Sequence, residues 1–171
     1  MTSTVFLALG SNMGDRLSNL EHAIQGLPPT VKPRECSPVY ETPPWGYADQ
    51  PPFLNMVLRA ETDLPPGELL NDLKDLENRL GRQASFLNGP RLIDLDIISY
   101  EQEVLHLPGL NIPHPRFQER AFVLVPLADI ASYYIHPTLH LPIGLLLQRV
   151  DRTGISLFSP PFSLDDKGEL K

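Results

Sequence analysis

Cysteine occurs once in the 171 residues, at Cys36. One thiol cannot form an intramolecular disulfide, and its scarcity fits a reducing compartment. Excess positive charge is absent too: 14 Lys and Arg stand against 21 Asp and Glu, for a formal net charge of -7 and a pI of about 5.1. That balance argues against a general nucleic-acid binder, which needs a basic footprint, and leaves room for a small anionic ligand held by a few local arginines. No run of 18 apolar residues exists, so no membrane-spanning helix is expected. The opening "MTSTVFLALGSNMGD" has no basic segment ahead of its short apolar run, so a signal peptide is not expected either. On these features a cytoplasmic protein is expected.

Proline is what the chain has in plenty: 19 residues, several in pairs (Pro28-Pro29, Pro43-Pro44, Pro51-Pro52, Pro65-Pro66, Pro160-Pro161). The pairs fall between periodic segments and read as stiff loops. Residues Thr4 to Gly10 predict a first strand. Leu17, Leu20, Ile24 and Leu27 then recur at helical spacing, with Asn12 or Asp15 as N-cap. "KPRECSPVYET" predicts a second strand and Phe53 to Asp63 a third. A helix follows at "PPGELLNDLKDLENRL", with prolines in its first turn, a stripe of Leu69, Leu73, Leu76 and Leu80, and Gly81 to stop it. "GPRLIDLDIISY" gives a fourth strand. The order β-α-β-β-α-β predicts an α+β, ferredoxin-like sheet with helices on one face, plus extra C-terminal helices in 115–150. "EVLHLPGLNIP" adds a hairpin. Residues 1–150 are expected to form one catalytic domain and 151–171 a loosely packed tail.

The fourth strand carries the sharpest signal. Asp94 and Asp96 sit at i and i+2, so they share a face with Cα atoms ~6.6 Å apart, while Ile93, Leu95 and Ile97 face the core. Two ionised carboxylates at ~4 Å repel by about 4 kcal/mol at an effective dielectric of ~20. A proton or a cation removes that cost, and hard oxygen ligands with few protein contacts suit Mg2+. A DxD pair on a strand with one wet face needs no function. Its company favours one: Arg82, Arg91, Arg116 and Arg120 surround it, with no lysine between positions 82 and 120. Arginine forks match phosphate oxygens. Together with the carboxylate pair these four arginines suggest a metal–nucleotide site. "GSNMGD" lacks the pattern of a Walker loop or a dinucleotide fingerprint and reads as a strand-to-helix turn.

"ETPPWGYADQPPFLN" is the second informative stretch. Trp45, Tyr47 and Phe53 offer rings to a flat molecule. Phe53 and Asn55 share a strand face, and an Asn amide suits the edge of a nitrogen heterocycle. Phe122 beside Arg120 offers a second ring. The same aromatics would also serve as core plugs under a long loop.

In order and spacing, "ALGSNMGD", "ETPPWGYADQPPFLN", "LGRQ", "GPRLIDLDI" and "IPHPRFQERAFVLVPL" resemble the 6-hydroxymethyl-7,8-dihydropterin pyrophosphokinase family of folate biosynthesis, over about residues 4 to 130. The resemblance implies a ferredoxin-like fold and transfer of diphosphate from ATP to the pterin hydroxymethyl group, releasing AMP. It implies that Asp94 and Asp96 are ligands of two Mg2+ ions on the ATP phosphates. Phe53 and Phe122 would sandwich the pterin, with Trp45 in the pocket and Asn55, Thr42 and Pro43 at the ring's edge. Arg82, Arg91, His114, Arg116 and Arg120 would contact ATP phosphates, and Glu77 and the backbone around Ile97 would seat the nucleotide. ATP and the dihydropterin are the expected partners of a monomer, with no nucleic acid and no membrane. Loops 45–53 and 83–89 are expected to close over the substrates. The second of them, "QASFLN" before Gly89, is one residue shorter than in well-known members and lacks their second arginine and tryptophan. Different classes remain to be separated by the site: an RNA or metabolite-binding module of the same fold, and a kinase moving only the γ-phosphate.

Overall fold

The computed structural model describes residues 1–83 and 85–171; Ala84, in the second of the two loops, lies outside the described residues. The chain runs β1 (Ser3–Ser11), α1 (Arg16–Gly26), β2 (Val31–Cys36), β3 (Val39–Thr42), β4 (Phe53–Thr62), α2 (Pro66–Arg79), β5 (Asp94–Tyr100), β6 (Leu105–Leu107), β7 (Leu110–Ile112), α3 (Ala121–Ala131), α4 (Ile143–Leu147) and β8 (Ser156–Ser159). A single 3-10 turn, Phe117–Glu119, leads into α3. The main sheet is antiparallel in the order β5-β1-β4-β3-β8, with β2 also on β4. This is the ferredoxin-like arrangement the element order predicts.

The expected second strand is two strands. Both pair with β4, and Ser37-Pro38 separates them. Pro38 has no N–H to give to the ladder. Ser37 bridges the break: its N–H donates to the Val57 carbonyl at 2.9 Å, and its Oγ accepts from the Val57 N–H at 2.9 Å.

Two cores cover the two faces of the sheet. On one, Leu20 and Ile24 of α1 and Leu69, Leu73 and Leu76 of α2 pack on Val5, Leu7, Leu9, Leu54, Met56, Leu58, Leu95 and Ile97. The helix stripe and the alternate strand positions meet there, as their periods of 3.6 and 2 require. Asp15 caps α1, accepting from the Ser18 N–H at 3.1 Å. On the other face Val123, Leu124 and Leu127 of α3, with Ile143 and Leu146 of α4, cover Phe6, Val57 and Ile98. The extra C-terminal helices thus close the face opposite α1 and α2. This second core stops short of one end of the sheet, and the gap is the candidate site.

The segment after Asp151 departs from expectation. Ser156–Ser159 form an edge strand on β3, and Phe162, Leu164 and Leu170 pack against the first core. Four strand residues bounded by Pro160-Pro161 are too few to show a period, so the sequence pattern reads as a loose tail.

Candidate active site

The acids stand where the sheet's second face changes from core to cleft. Going along β5, Ile98 packs into the second core, while Asp96 and Asp94 line a cavity at the start of α3. Ile93, Leu95 and Ile97 point into the first core, as the alternation predicts. β5 begins at Asp94 rather than at Gly89. Before it, the Asn12 N–H donates to the Arg91 carbonyl at 3.0 Å and Asn12 Oδ1 accepts from the Arg91 N–H at 2.8 Å, which fixes the chain entering the strand.

Gly10 lies in register with Asn55 on one side and Asp94 on the other. These three positions form a row across β4, β1 and β5, so Asn55 and Asp94 stand about 10 Å apart at ordinary strand spacing. A Cβ on Gly10 would meet Asn55 Oδ1 at 2.6 Å. The missing side chain leaves the floor of the cleft open. Gly10 belongs to β1, within the strand expected from Thr4 to Gly10, and its partners on neighbouring strands are not visible in the local pattern.

The cleft is a cavity of about 260 Å3 lined by Gly10, Pro43, Trp45, Phe53, Asn55, Asn88, Arg91, Asp94, Asp96, His114, Arg120 and Phe122 among others. Carboxylates, arginines and His114 gather at one end and rings and an amide at the other. Asn55 Nδ2 donates to Thr42 Oγ1 at 2.7 Å, which turns Oδ1 toward Gly10 and the cavity. Thr42 thus stands behind Asn55.

At the charged end Asp94 accepts from Arg82 Nη1 and Arg91 Nη1, each at 3.0 Å. Arg82 also pairs with Glu77, which is only 6% exposed and accepts the Leu95 N–H at 2.9 Å. Burial raises the Glu77 carboxyl, and the Leu95 N–H and Arg82 oppose it. Glu77 is therefore a brace between α2, β5 and Arg82. Asp96 has no such fork. Its carboxyl is pushed up to about 7, first by burial and then by Asp94 and Glu77, against the pull of Arg120 and Arg91. His114 is pushed down to about 4 by burial and by Arg120. Its Nδ1 accepts from the Arg116 N–H at 3.3 Å, so the neutral ring carries its proton on Nε2. Ile97 keeps its side chain in the core, so only its backbone is available to a ligand.

Trp45 lies 6.0 Å from Phe122, centroid to centroid. Arg116 and Arg120 each sit 5.6 Å from the Trp45 ring, and Arg120 also covers Phe122 at 5.7 Å. Arg120 Nε is buried with no hydrogen-bond partner among the described residues. Tyr47 packs edge-on against Phe86, and Gln50 Nε2 donates to the Asn88 carbonyl at 2.7 Å while its Oε1 accepts from Asn12 Nδ2 at 2.9 Å. The two loops and the end of β1 are thus knotted through Asn12 and Gln50. Of the two N-cap candidates Asp15 is the cap and Asn12 has this role instead, while Gln50 had none in the sequence pattern. Asn12 is only 2% exposed, but a buried asparagine beside a glycine turn gives no sequence signal that it serves three segments.

The cleft joins a paired-acid and arginine end to an end of rings and an amide, and the comparisons with known proteins make the chain a phosphoryl-transfer enzyme. The model of the 7,8-dihydro-6-hydroxymethylpterin-pyrophosphokinase family matches residues 6–132, and the chain belongs to that family. It is 43% identical over 141 residues to the 2-amino-4-hydroxy-6-hydroxymethyldihydropteridine pyrophosphokinase of Aquifex aeolicus, covering 82% of this chain and 88% of that protein. To the enzyme of the same name from Bacillus subtilis it is 45% identical over 134 residues, covering 77% and 80%. The folic acid synthesis protein FOL1 of Dictyostelium discoideum is 44% identical over 137 residues; the match takes in 80% of this chain and 21% of that longer protein. Among solved structures, a Plasmodium falciparum HPPK-DHPS matches the whole chain at a TM-score of 0.78 and 16% identity, with this chain spanning 51% of it; the likeness is one of fold. The family's activity is that of an ATP-dependent pyrophosphokinase acting on a dihydropterin in folate biosynthesis. No helix among the described residues is long and apolar enough to cross a membrane.

Proposed function

We propose that this chain carries out its family's reaction in the cleft between β5 and β4, moving a diphosphate group from ATP to the hydroxymethyl oxygen of 6-hydroxymethyl-7,8-dihydropterin. The observation that carries the reading is the single cavity with Asp94, Asp96, Arg91, Arg120 and His114 at one end and Phe53, Asn55, Phe122 and Trp45 at the other. Phe53 and Phe122 hold the pterin ring, and Asn55, fixed by Thr42, offers Oδ1 to a ring N–H beside Pro43. Arg82, Arg91, Arg116 and Arg120 neutralise the triphosphate, and His114 donates from Nε2 without adding charge. Glu77 keeps Arg82 aimed, and the backbone near Ile97 meets the nucleotide. Attack on phosphorus through a loose transition state needs alignment and charge neutralisation more than covalent help from the protein.

The acid pair fits magnesium. Asp96 is disfavoured as an anion and has no guanidinium fork, and no group of three or more metal-ligating side chains occurs among the described residues. Two carboxylates with the rest of the shell left to phosphate and water is the pattern of Mg2+. Asp94 and Asp96 would hold it, two ions in all, and it would supply charge neutralisation between the phosphate oxygens when bound. The enzyme is read as a cytoplasmic monomer, with Cys36 reduced in the core.

Product analysis tests the reading. Protein, ATP, Mg2+ and the dihydropterin are expected to yield AMP and pterin diphosphate in equal amounts. Pterin-dependent ADP would make this a γ-phosphate kinase, and tight binding without turnover would make it a binding module.

A further inference from the structure

The 43–52 loop and the strands around it are held from outside the cleft by the C-terminal segment. β8 pairs with β3 in the register Tyr40↔Leu157 and Glu41↔Ser156, directly ahead of Thr42 and Pro43. Gly154 turns toward the start of the loop at φ +84°, and a Cβ there would meet Pro43 Cγ at 2.8 Å. The loop's far end is held through Arg16: its guanidinium lies 5.5 Å from the Phe158 ring, donates to Glu41 of β3 at 2.8 Å, and donates to the Pro52 carbonyl at 3.0 Å, next to Phe53. A second cavity, of about 540 Å3, separates the same wall from the tail: Pro43, Trp45 and Phe122 form one bank, Asp151, Thr153 and Ile155 the other.

Resting on the pterin reading of the cleft, we infer that the C-terminal segment is a positioning element of the pterin pocket, with Gly154 setting Pro43 at one end of the loop and Phe158, through Arg16, setting Pro52 and Phe53 at the other. Neither residue touches the cleft. Their effect is confined to the ring-binding end, because the phosphate end is built on β5, α2 and the segment before α3, none of which pairs with β8. The expected signature is a split: weaker pterin binding with nucleotide binding unchanged.

The test measures two affinities and one spectrum on Gly154→Ala, Phe158→Ser and Phe158→Tyr. Trp45 is the only tryptophan in the chain, so its emission reports the loop directly. Gly154→Ala and Phe158→Ser are expected to raise the pterin KM about tenfold, since displacements near 1 Å at a binding wall have effects of that order or larger. They are expected to shift Trp45 emission and to leave the Kd for a non-hydrolysable MgATP analogue within about twofold. Phe158→Tyr keeps a ring under Arg16 and is expected to restore the wild-type KM. Wild-type pterin affinity in both Gly154→Ala and Phe158→Ser overturns the inference while leaving the cleft reading intact. Loss of pterin and nucleotide affinity together, in step with melting temperature, also overturns it and makes the segment merely structural. A wild-type protein that binds nucleotide and no pterin overturns the cleft reading and this inference with it.

Discussion

Asp96 is a carboxylate the protein alone does not satisfy. Asp94 takes both nearby arginines, leaving Asp96 beside it in a partly buried position. An acid whose folded-state value is raised to about 7 contributes its stability fully below the unfolded value near 4 and loses it as pH rises toward 7. Asp96→Asn is therefore expected to stabilise the free enzyme on the order of 2 kcal/mol at pH 8, with the gain shrinking toward pH 4. Denaturant melts at several pH values check this. His114 gives the opposite sign. With its folded value pushed down to about 4, its protonation costs stability as pH falls below ~6.5, and it is neutral at physiological pH. NMR of the ring protons is expected to show no titration of His114 between pH 6 and 8 in the free protein.

Among the elements, α2 and β5 act as a unit through Glu77. Its carboxylate holds the Leu95 N–H and Arg82 together. Glu77→Gln keeps an oxygen for Leu95 and removes the charge facing Arg82, so turnover is expected to fall about tenfold with pterin affinity unchanged, read by steady-state kinetics with each substrate varied. Ser37 plays the comparable part at the β2–β3 break. Losing its Oγ leaves the Val57 N–H without that acceptor, and Ser37→Ala is expected to destabilise by about 1–2 kcal/mol in a denaturant melt.

The elements also show what a sequence pattern can carry. The stripe of Leu69, Leu73 and Leu76 and the alternation of Ile93, Leu95 and Ile97 are local and periodic, and both faced the core as read. The acids, arginines and rings were legible because their chemistry is unusual for a strand or a loop. Gly10, Asn12 and Gln50 were not, because their roles lie in partners 38 to 84 positions away: Gln50 for Asn12, Asn55 and Asp94 for Gly10, Arg91 for Asn12. The split at Ser37-Pro38 and the four-residue β8 failed for a different reason: both are too short for an alternation to stand out from their surroundings.

For the whole molecule, the sheet's two faces divide the labour. One is core from end to end under α1 and α2. The other is core under α3 and α4, and its remaining end carries the row Asn55, Gly10 and Asp94 across β4, β1 and β5. On the proposed function, Mg2+ and a non-hydrolysable ATP analogue are expected to raise the melting temperature, and the rise is expected to shrink in Asp94→Ala.

The most direct test of the account is single-turnover AMP formation by wild type, Asp94→Asn and Asp96→Asn, with ATP, Mg2+ and the dihydropterin, on protein shown to be folded by its melt. The account predicts pterin-dependent AMP from wild type and losses of about 10^3-fold or more in both variants, as expected when transition-state charge loses its partners. A folded variant of either kind that keeps more than about a tenth of wild-type AMP formation would contradict the assignment of the reaction to this pair of acids.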